Sequence, residues 1–258
     1  RRPPRSTLFP YTTLFRSRAA FIGIDKKSRF HVIIDGEHIG KWPYIFYDTV
    51  VFSPDSRQYA LAVSESGKRG QLDCRVIYDR SQGAKWNAVD RSKGAKWHSI
   101  VGVPPTVTPD SKHVVYFARE GDTWRAVVDE DAGPGFDRTG YGPNFSPDGS
   151  LMAYVGMNED EQFLLVNDER YGPFEEVKDV VFSPTSNDLA YVAKSNDSSL
   201  MYLNHRPYRH NYRHAFCPMF SPDGRRFAIS ATDGISDEYV IVDSVERRHF
   251  PDMLVSEV

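Results

Sequence analysis

One short turn motif recurs five times along the 258-residue chain, and no other feature limits the fold as much. It reads Phe52-Ser53-Pro54-Asp55, Thr108-Pro109-Asp110, Phe145-Ser146-Pro147-Asp148-Gly149, Phe182-Ser183-Pro184-Thr185 and Phe220-Ser221-Pro222-Asp223-Gly224. The Ser or Thr stands at 53, 108, 146, 183 and 221, giving spacings of 55, 38, 37 and 38. Self-similarity at such a period marks a repeat architecture. Proline presets φ at the first central position of a turn, aspartate suits the second, and glycine takes a left-handed position without steric cost. The motif therefore closes a tight turn between two strands. Asp55, Asp110, Asp148 and Asp223 read as turn residues rather than catalytic acids.

An apolar strand follows each turn: Tyr59-Ala60-Leu61-Ala62-Val63, Val114-Val115-Tyr116-Phe117, Leu151-Met152-Ala153-Tyr154-Val155, Leu189-Ala190-Tyr191-Val192 and Phe227-Ala228-Ile229. These runs are nearly continuous rather than alternating, which predicts burial on both faces. Ala60, Val115, Ala153, Ala190 and Ala228 share one repeat position, so a small or medium residue there predicts close packing between neighbouring sheets. A second strand recurs, and most copies end in Asp or Asn, as in Val32-Ile33-Ile34-Asp35, Leu164-Leu165-Val166-Asn167 and Val240-Ile241-Val242-Asp243. Four short strands per 38 residues without a helix is the pattern of a propeller blade. A β-solenoid would need shorter repeats, and a sandwich need not repeat at all.

Phe-Ser-Pro-Asp-Gly followed by an Ala-Tyr-type strand resembles the WD40-like propeller repeat of the TolB type, and the resemblance covers residues 19–258. Related blades occur in the propellers of prolyl oligopeptidases and dipeptidyl peptidase IV. The Trp-Asp dipeptide of true WD40 repeats is missing. The expected fold is all-β, a β-propeller of about six four-stranded blades, incomplete at one or both ends. Residues 18–258 would form a single propeller domain.

The first seventeen residues stand apart. Residues 7–17, TLFPYTTLFRS, match codon for codon the in-frame translation of a common short-read sequencing adapter. Residues 1–17 are accordingly expected to be a non-native, disordered tail and are set aside from fold reasoning. Ala19–Ile24 then looks like a strand whose preceding turn and innermost partner are lost. The next Ser-Pro would fall near position 259. Either the chain is a fragment cut at both ends, or its C-terminus supplies the missing strand and closes a six-bladed ring.

The 55-residue spacing contains a tandem duplication: Asp79-Arg80-Ser81-Gln82-Gly83-Ala84-Lys85-Trp86 is echoed by Asp90-Arg91-Ser92-Lys93-Gly94-Ala95-Lys96-Trp97. This predicts an extended hairpin, rich in Lys and Trp, with Lys85, Trp86, Lys96 and Trp97 as candidate interaction residues; the alternative is a replicated outer strand or an assembly error. The densest polar cluster, His205 to His214, adds Arg206, Tyr208, Arg209, His210, Tyr212 and Arg213. His210 and His214 have helical metal-ligand spacing, but on a strand residues i and i+4 lie about 13 Å apart, too far for one ion. Just upstream of the turns, Thr49, Asn144, Lys178 and Asp179 are candidate channel-lining residues. No nucleophile elbow, phosphate loop, dinucleotide fingerprint or C-x-x-C pair occurs. No catalytic residue, cofactor or metal is expected. Cys74 and Cys217 read as buried free thiols.

With 32 basic against 35 acidic side chains, the balance argues against nucleic acid as a partner, and no apolar run approaches a membrane span. Three functions follow. The first is a non-catalytic binding module, a monomeric scaffold for a protein or peptide. The second is the propeller domain of a larger prolyl-oligopeptidase-like serine peptidase, truncated before its catalytic domain. The third is a small-ligand binder or enzyme using the central channel. The resemblance implies bacterial, periplasmic or secreted protein contacts, although the native N-terminus that would carry an address is missing.

Overall fold

A computed structural model describes residues 11–15, 18–46, 50–64, 74–80, 84–87, 97–99, 104–129, 131–196, 198–208, 213–233, 238–243 and 245–250. The chain divides into two compact units, Arg1–Gly135 and Phe136–Val258. Among the described residues every regular element is a β-strand, and, one parallel bridge apart, the strands pair antiparallel.

The first unit holds three sheets. The first pairs Tyr11–Phe15, Arg18–Ile24, Phe30–Ile34 and Glu37–Trp42 in that order. The second runs from Tyr44–Ile45 and Val51–Phe52, both on Gln58–Ser64, through Cys74–Arg80 to Ala84–Asn87. The third places Trp97–Ser99 and Thr106–Val107 beside Val114–Glu120, then Thr123–Val128 and Asp131–Ala132. Two hydrophobic clusters fill this unit. In one, Ala60, Ala62 and Tyr78 pack with Val107, Val114 and Tyr116. In the other, Ala20, Ile22 and Val32 pack with Phe52, Leu61 and Val63.

The second unit repeats the plan. Arg138–Thr139 and Asn144–Phe145 flank Met152–Asn158, followed by Glu161–Val166 and Glu169–Phe174. An eight-stranded sheet then contains two further meanders. The first is Glu176–Phe182, Leu189–Ser195, Ser198–Leu203 and Arg206–Pro207, and the second is His214–Phe220, Phe227–Thr232, Glu238–Val242 and Val245–Phe250. A single parallel bridge, Ser199 to His214, joins them. Each meander follows one sequence repeat, so the chain is all-β and built of propeller-type blades.

The turn motif explains the register. Ser53 N–H bonds the Gln58 carbonyl at 3.0 Å and Ser56 N–H bonds the Ser53 carbonyl at 2.8 Å; the Thr108, Ser146 and Ser221 copies repeat both bonds. The residue after Asp takes positive φ: Ser56 at 65°, Ser111 at 60°, Gly149 at 73° and Gly224 at 67°. In the 146 copy, the Ser146 hydroxyl donates to Asp148 Oδ1 at 2.6 Å and accepts from Leu151 N–H at 2.9 Å. Asp148 Oδ1 also accepts from Ser150 N–H at 3.0 Å. These bonds hold the Asp148 carboxyl well below its ordinary range. The 183 copy lacks the carboxylate at Thr185, and Ser186 instead donates to Asp188 at 2.7 Å two residues further on.

The strand-end Asp or Asn does more than suit a turn. Asp35, Asp129, Asn167, Asn204 and Asp243 all have φ between 49° and 53°. Each side chain accepts a backbone N–H from the start of the preceding strand: from Ala19, Val114, Met152, Leu189 and Phe227, at 2.9 to 3.0 Å. The same residues return their own N–H to the carbonyls of those partners. The central hairpin of each of these meanders is thus clamped at its open end.

Several expectations change. Tyr11–Phe15, inside the segment expected to be a disordered tail, is a strand paired with Arg18–Ile24 from Tyr11↔Ile22 to Phe15↔Arg18. A Tyr-Thr-Thr-Leu-Phe run has strong strand propensity, and it takes the free edge beside Arg18–Ile24. Among the described residues, the two copies of the duplication do not pair with each other. Ala84–Asn87 ends the second sheet, whereas Trp97–Ser99 opens the third, because each run pairs with the strand its own neighbours bring to it. Cys217 is exposed rather than buried, on a register shift of its strand where φ is 52°. The shared small position is buried at Ala60, Val115, Ala153 and Ala190, but Ala228 is only half-buried. The segment 251–258, which could have closed the ring, lies outside the described residues.

Candidate functional site

Within the second unit, Ser198–Leu203 and Arg206–Pro207 are joined by Asn204 and His205, both left-handed, with φ of 49° and 64°. Two positive-φ residues make the tight hairpin whose twist suits antiparallel strands. Leu203 faces Arg206 and Tyr202 faces Pro207 in the register. Asn204 is doubly held: its side chain accepts from Leu189 N–H at 3.0 Å and donates to Asp188 at 2.8 Å.

The outer strand stops after two residues, whereas its counterpart Glu169–Phe174 runs for six. Proline is tolerated at an edge because no ladder donor is needed there. Tyr208 continues the chain with its N–H on the Met201 carbonyl at 2.8 Å, and its ring meets Phe227 edge-on at 5.6 Å. An open hollow of about 490 Å³ is lined by Leu203, Asn204, Arg206, Pro207 and Tyr208. Arg206 is exposed, and Leu203 and Tyr208 are half-exposed. The hollow therefore offers a guanidinium, an aromatic ring and an aliphatic floor.

Behind the hairpin lies an aromatic wall. His205 stacks on Tyr171 with centroids 3.7 Å apart and parallel planes, and Tyr191 stacks on Tyr202 at 5.0 Å. Phe174 meets Tyr191 and Tyr202 at 6.4 and 5.8 Å. The Tyr171 hydroxyl donates to Glu169, which pushes the phenol up to about 12. Burial lowers the His205 imidazole below its usual value, against a smaller upward pull from Glu169. Its Nδ1 is enclosed and makes no hydrogen bond among the described residues.

The residues singled out from sequence are only partly brought together. Arg206 and Tyr208 share the hollow. Arg213 is exposed, and its carbonyl accepts from Ser199 N–H at 3.1 Å. Arg209, His210, Tyr212, Lys96 and Thr49 lie outside the described residues. Lys85 and Trp86 stand on Ala84–Asn87, opposite Asp79 and Tyr78 in the register, and Trp97 begins Trp97–Ser99. Asn144 is on Asn144–Phe145, beside Ala153. Lys178 and Asp179 are on Glu176–Phe182, where Lys178 lies 3.9 Å from Glu176 and Asp179 accepts from Cys217 N–H at 3.2 Å. Sequence reasoning missed Leu203, Asn204 and Pro207 as lining residues. No motif marks them, because the counterpart Glu169–Phe174 also follows a strand-end Asn and also contains a proline, Pro173.

No protein-family model and no curated protein matches the chain. Solved structures do. TolB from Acinetobacter baumannii is 14% identical over 92% of this chain and 65% of its own, with a TM-score of 0.37. The β-propeller domain of the Trilobed protease from Pyrococcus furiosus is 12% identical over 92% of this chain and 83% of its own, with a TM-score of 0.41. An acylaminoacyl peptidase from Pyrococcus horikoshii is 11% identical over 93% of this chain, with a TM-score of 0.39, and this chain spans 44% of its length. The chain resembles TolB-type and other β-propellers, and the resemblance concerns the fold alone.

Proposed function

We propose that the protein is a non-catalytic, propeller-type binding module that engages a protein or peptide through the edge at Leu203–Tyr208. The observation that carries this reading is the hollow itself. Beside the short outer strand lies a depression lined by one exposed cation, one tyrosine and the aliphatic Leu203 and Pro207. Arg and Tyr anchors in a partly enclosed pocket are the residues that dominate protein interfaces. A shortened edge strand next to such a pocket accommodates an extended segment, with side chains at alternate positions entering it. The cation selects a carboxylate beside an apolar residue in that segment. Arg209, His210, Tyr212 and Arg213 follow directly in sequence and extend the same basic, aromatic character. A periplasmic or secreted location belongs to the same proposal and rests on the repeat resemblance. No helix among the described residues is long and apolar enough to cross a membrane.

A display library of random twelve-residue peptides, panned on the immobilised full chain, tests this reading. Enrichment of acidic-aromatic or acidic-aliphatic sequences is expected, with binding lost in Arg206→Glu and Tyr208→Ala. Enriched peptides that bind both variants as well as the parent would overturn the placement of the site.

A further inference from the structure

A second cluster, in the first unit, brings two imidazoles and a carboxylate into contact. His31 is on Phe30–Ile34 and His38 is on the adjacent Glu37–Trp42. The register shifts between Val32 and Ile33, and His31 Nδ1 lies 2.9 Å from His38 Nε2 with ring centroids 5.1 Å apart. The other nitrogen of His31, Nε2, is 3.1 Å from Asp25 Oδ2. Asp25 is itself fixed: its Oδ1 accepts Lys27 N–H at 2.8 Å and Arg29 N–H at 3.0 Å, and Arg29 Nη2 donates to Oδ2 at 2.8 Å.

An ionised carboxylate only accepts, so the His31 Nε2 carries the proton shared with Asp25. In neutral His31 the lone pair is then on Nδ1, pointing at His38. A carboxylate behind a histidine is the arrangement that fixes the tautomer of a metal-ligating imidazole and raises its basicity. We propose that His31 Nδ1 and His38 Nε2 form a two-imidazole chelate for a borderline divalent transition ion of the Zn²⁺ type, with Asp25 orienting His31 from behind.

The geometry is close to what such an ion requires. Two nitrogens at about 2.0–2.1 Å from a tetrahedral ion stand about 3.3–3.4 Å apart, so the rings need open by only about 0.4 Å from their present contact. The ion takes the place of the proton lying between the rings. If the pair is singly protonated, binding releases that proton; if it is neutral, His38 moves its proton to Nδ1. Among the described residues no group of three or more His, Cys, Asp or Glu side chains is arranged to hold a metal ion, so protein ligation in this proposal stops at the two imidazoles and water would complete the shell. Arg29 faces Asp25, and Lys41 is opposite His31 in the register; both cations oppose the incoming charge and weaken the site. Sequence reading passed over the pair because a spacing of seven residues has no ligand signature, and only the hairpin with its register shift brings the rings together.

Titration of the full chain with ZnCl₂ by calorimetry tests the site, with circular dichroism confirming that each variant folds. The parent is expected to bind Zn²⁺. Exposed His38→Gln is expected to weaken binding by at least about tenfold, and Asp25→Asn, which retains an acceptor for the turn, by about 10–100-fold. If Asp25→Asn unfolds, the Zn²⁺-induced rise in parent Tm, absent from His38→Gln, takes its place. No Zn²⁺ binding by the parent, or a loss smaller than tenfold in His38→Gln, overturns the proposal.

Discussion

The smallest repeated unit is a hydroxyl that both donates and accepts. Ser146 is completely buried, gives its proton to Asp148 and receives Leu151 N–H. Removing the oxygen leaves a backbone donor and a carboxylate partly unsatisfied, which costs about 1–3 kcal/mol. Ser146→Ala is therefore expected to be destabilised by that amount in urea unfolding, and an unchanged midpoint would contradict the turn's role. His205 works through protonation. Its folded pKa lies below the ordinary 6.5, so the native state binds its proton less readily than the unfolded chain. Its contribution is complete above pH about 6.5 and is lost as pH falls through that value toward the folded pKa. The parent Tm is expected to drop between pH 7.5 and 5.5, and His205→Gln to drop less; equal slopes would refute the assignment. The turn aspartates follow the same sign at lower pH. Their depressed pKa values mean stability that is present above about pH 3.9 and is lost in acid.

At the scale of strands and sheets, much was legible before any coordinates. The apolar runs after each turn are central strands, and Tyr59 through Val63 and Val114 through Phe117 are buried throughout, as continuous hydrophobicity requires. Tyr154 is 1% exposed in its sheet. Tyr154→Asp would bury a charge without a partner, a change worth several kcal/mol, and is expected to abolish the cooperative thermal transition; a native-like melt would show that the position is not enclosed. What was not legible depends on contacts distant in sequence. The clamp from Asn167 to Met152 spans fifteen residues, and its Asp and Asn letters suited an ordinary turn equally well. The first Ala-Lys-Trp run lies on Ala84–Asn87 in one sheet, whereas Trp97, which ends the second run, begins a strand in another, so local propensity could not separate them. The hollow depends on the meeting of two strands of one hairpin, and the imidazole pair on a register shift. Neither event has a spacing signature.

For the chain as a whole, the N-terminal strand bears on stability. Tyr11–Phe15 supplies the edge partner of Arg18–Ile24, whose Ala20 and Ile22 are buried. Deleting residues 1–17 is expected to lower Tm by about 2–4 °C for each kcal/mol lost, the scale for a chain of this size. A truncated chain with unchanged Tm would show that this strand adds nothing. The central claim is that each repeat of about 38 residues folds as one meander around a buried second strand, registered by its Ser or Thr turn. Amide hydrogen exchange by mass spectrometry on the full chain tests it most directly, because protection follows paired, buried backbone. The account predicts slow exchange recurring at Gln58–Ser64, Val114–Glu120, Met152–Asn158, Leu189–Ser195 and Phe227–Thr232, with faster exchange at the short outer strand Asp131–Ala132 and at Arg206. Fast exchange in the repeated second strands, or protection without the repeat's period, would contradict it.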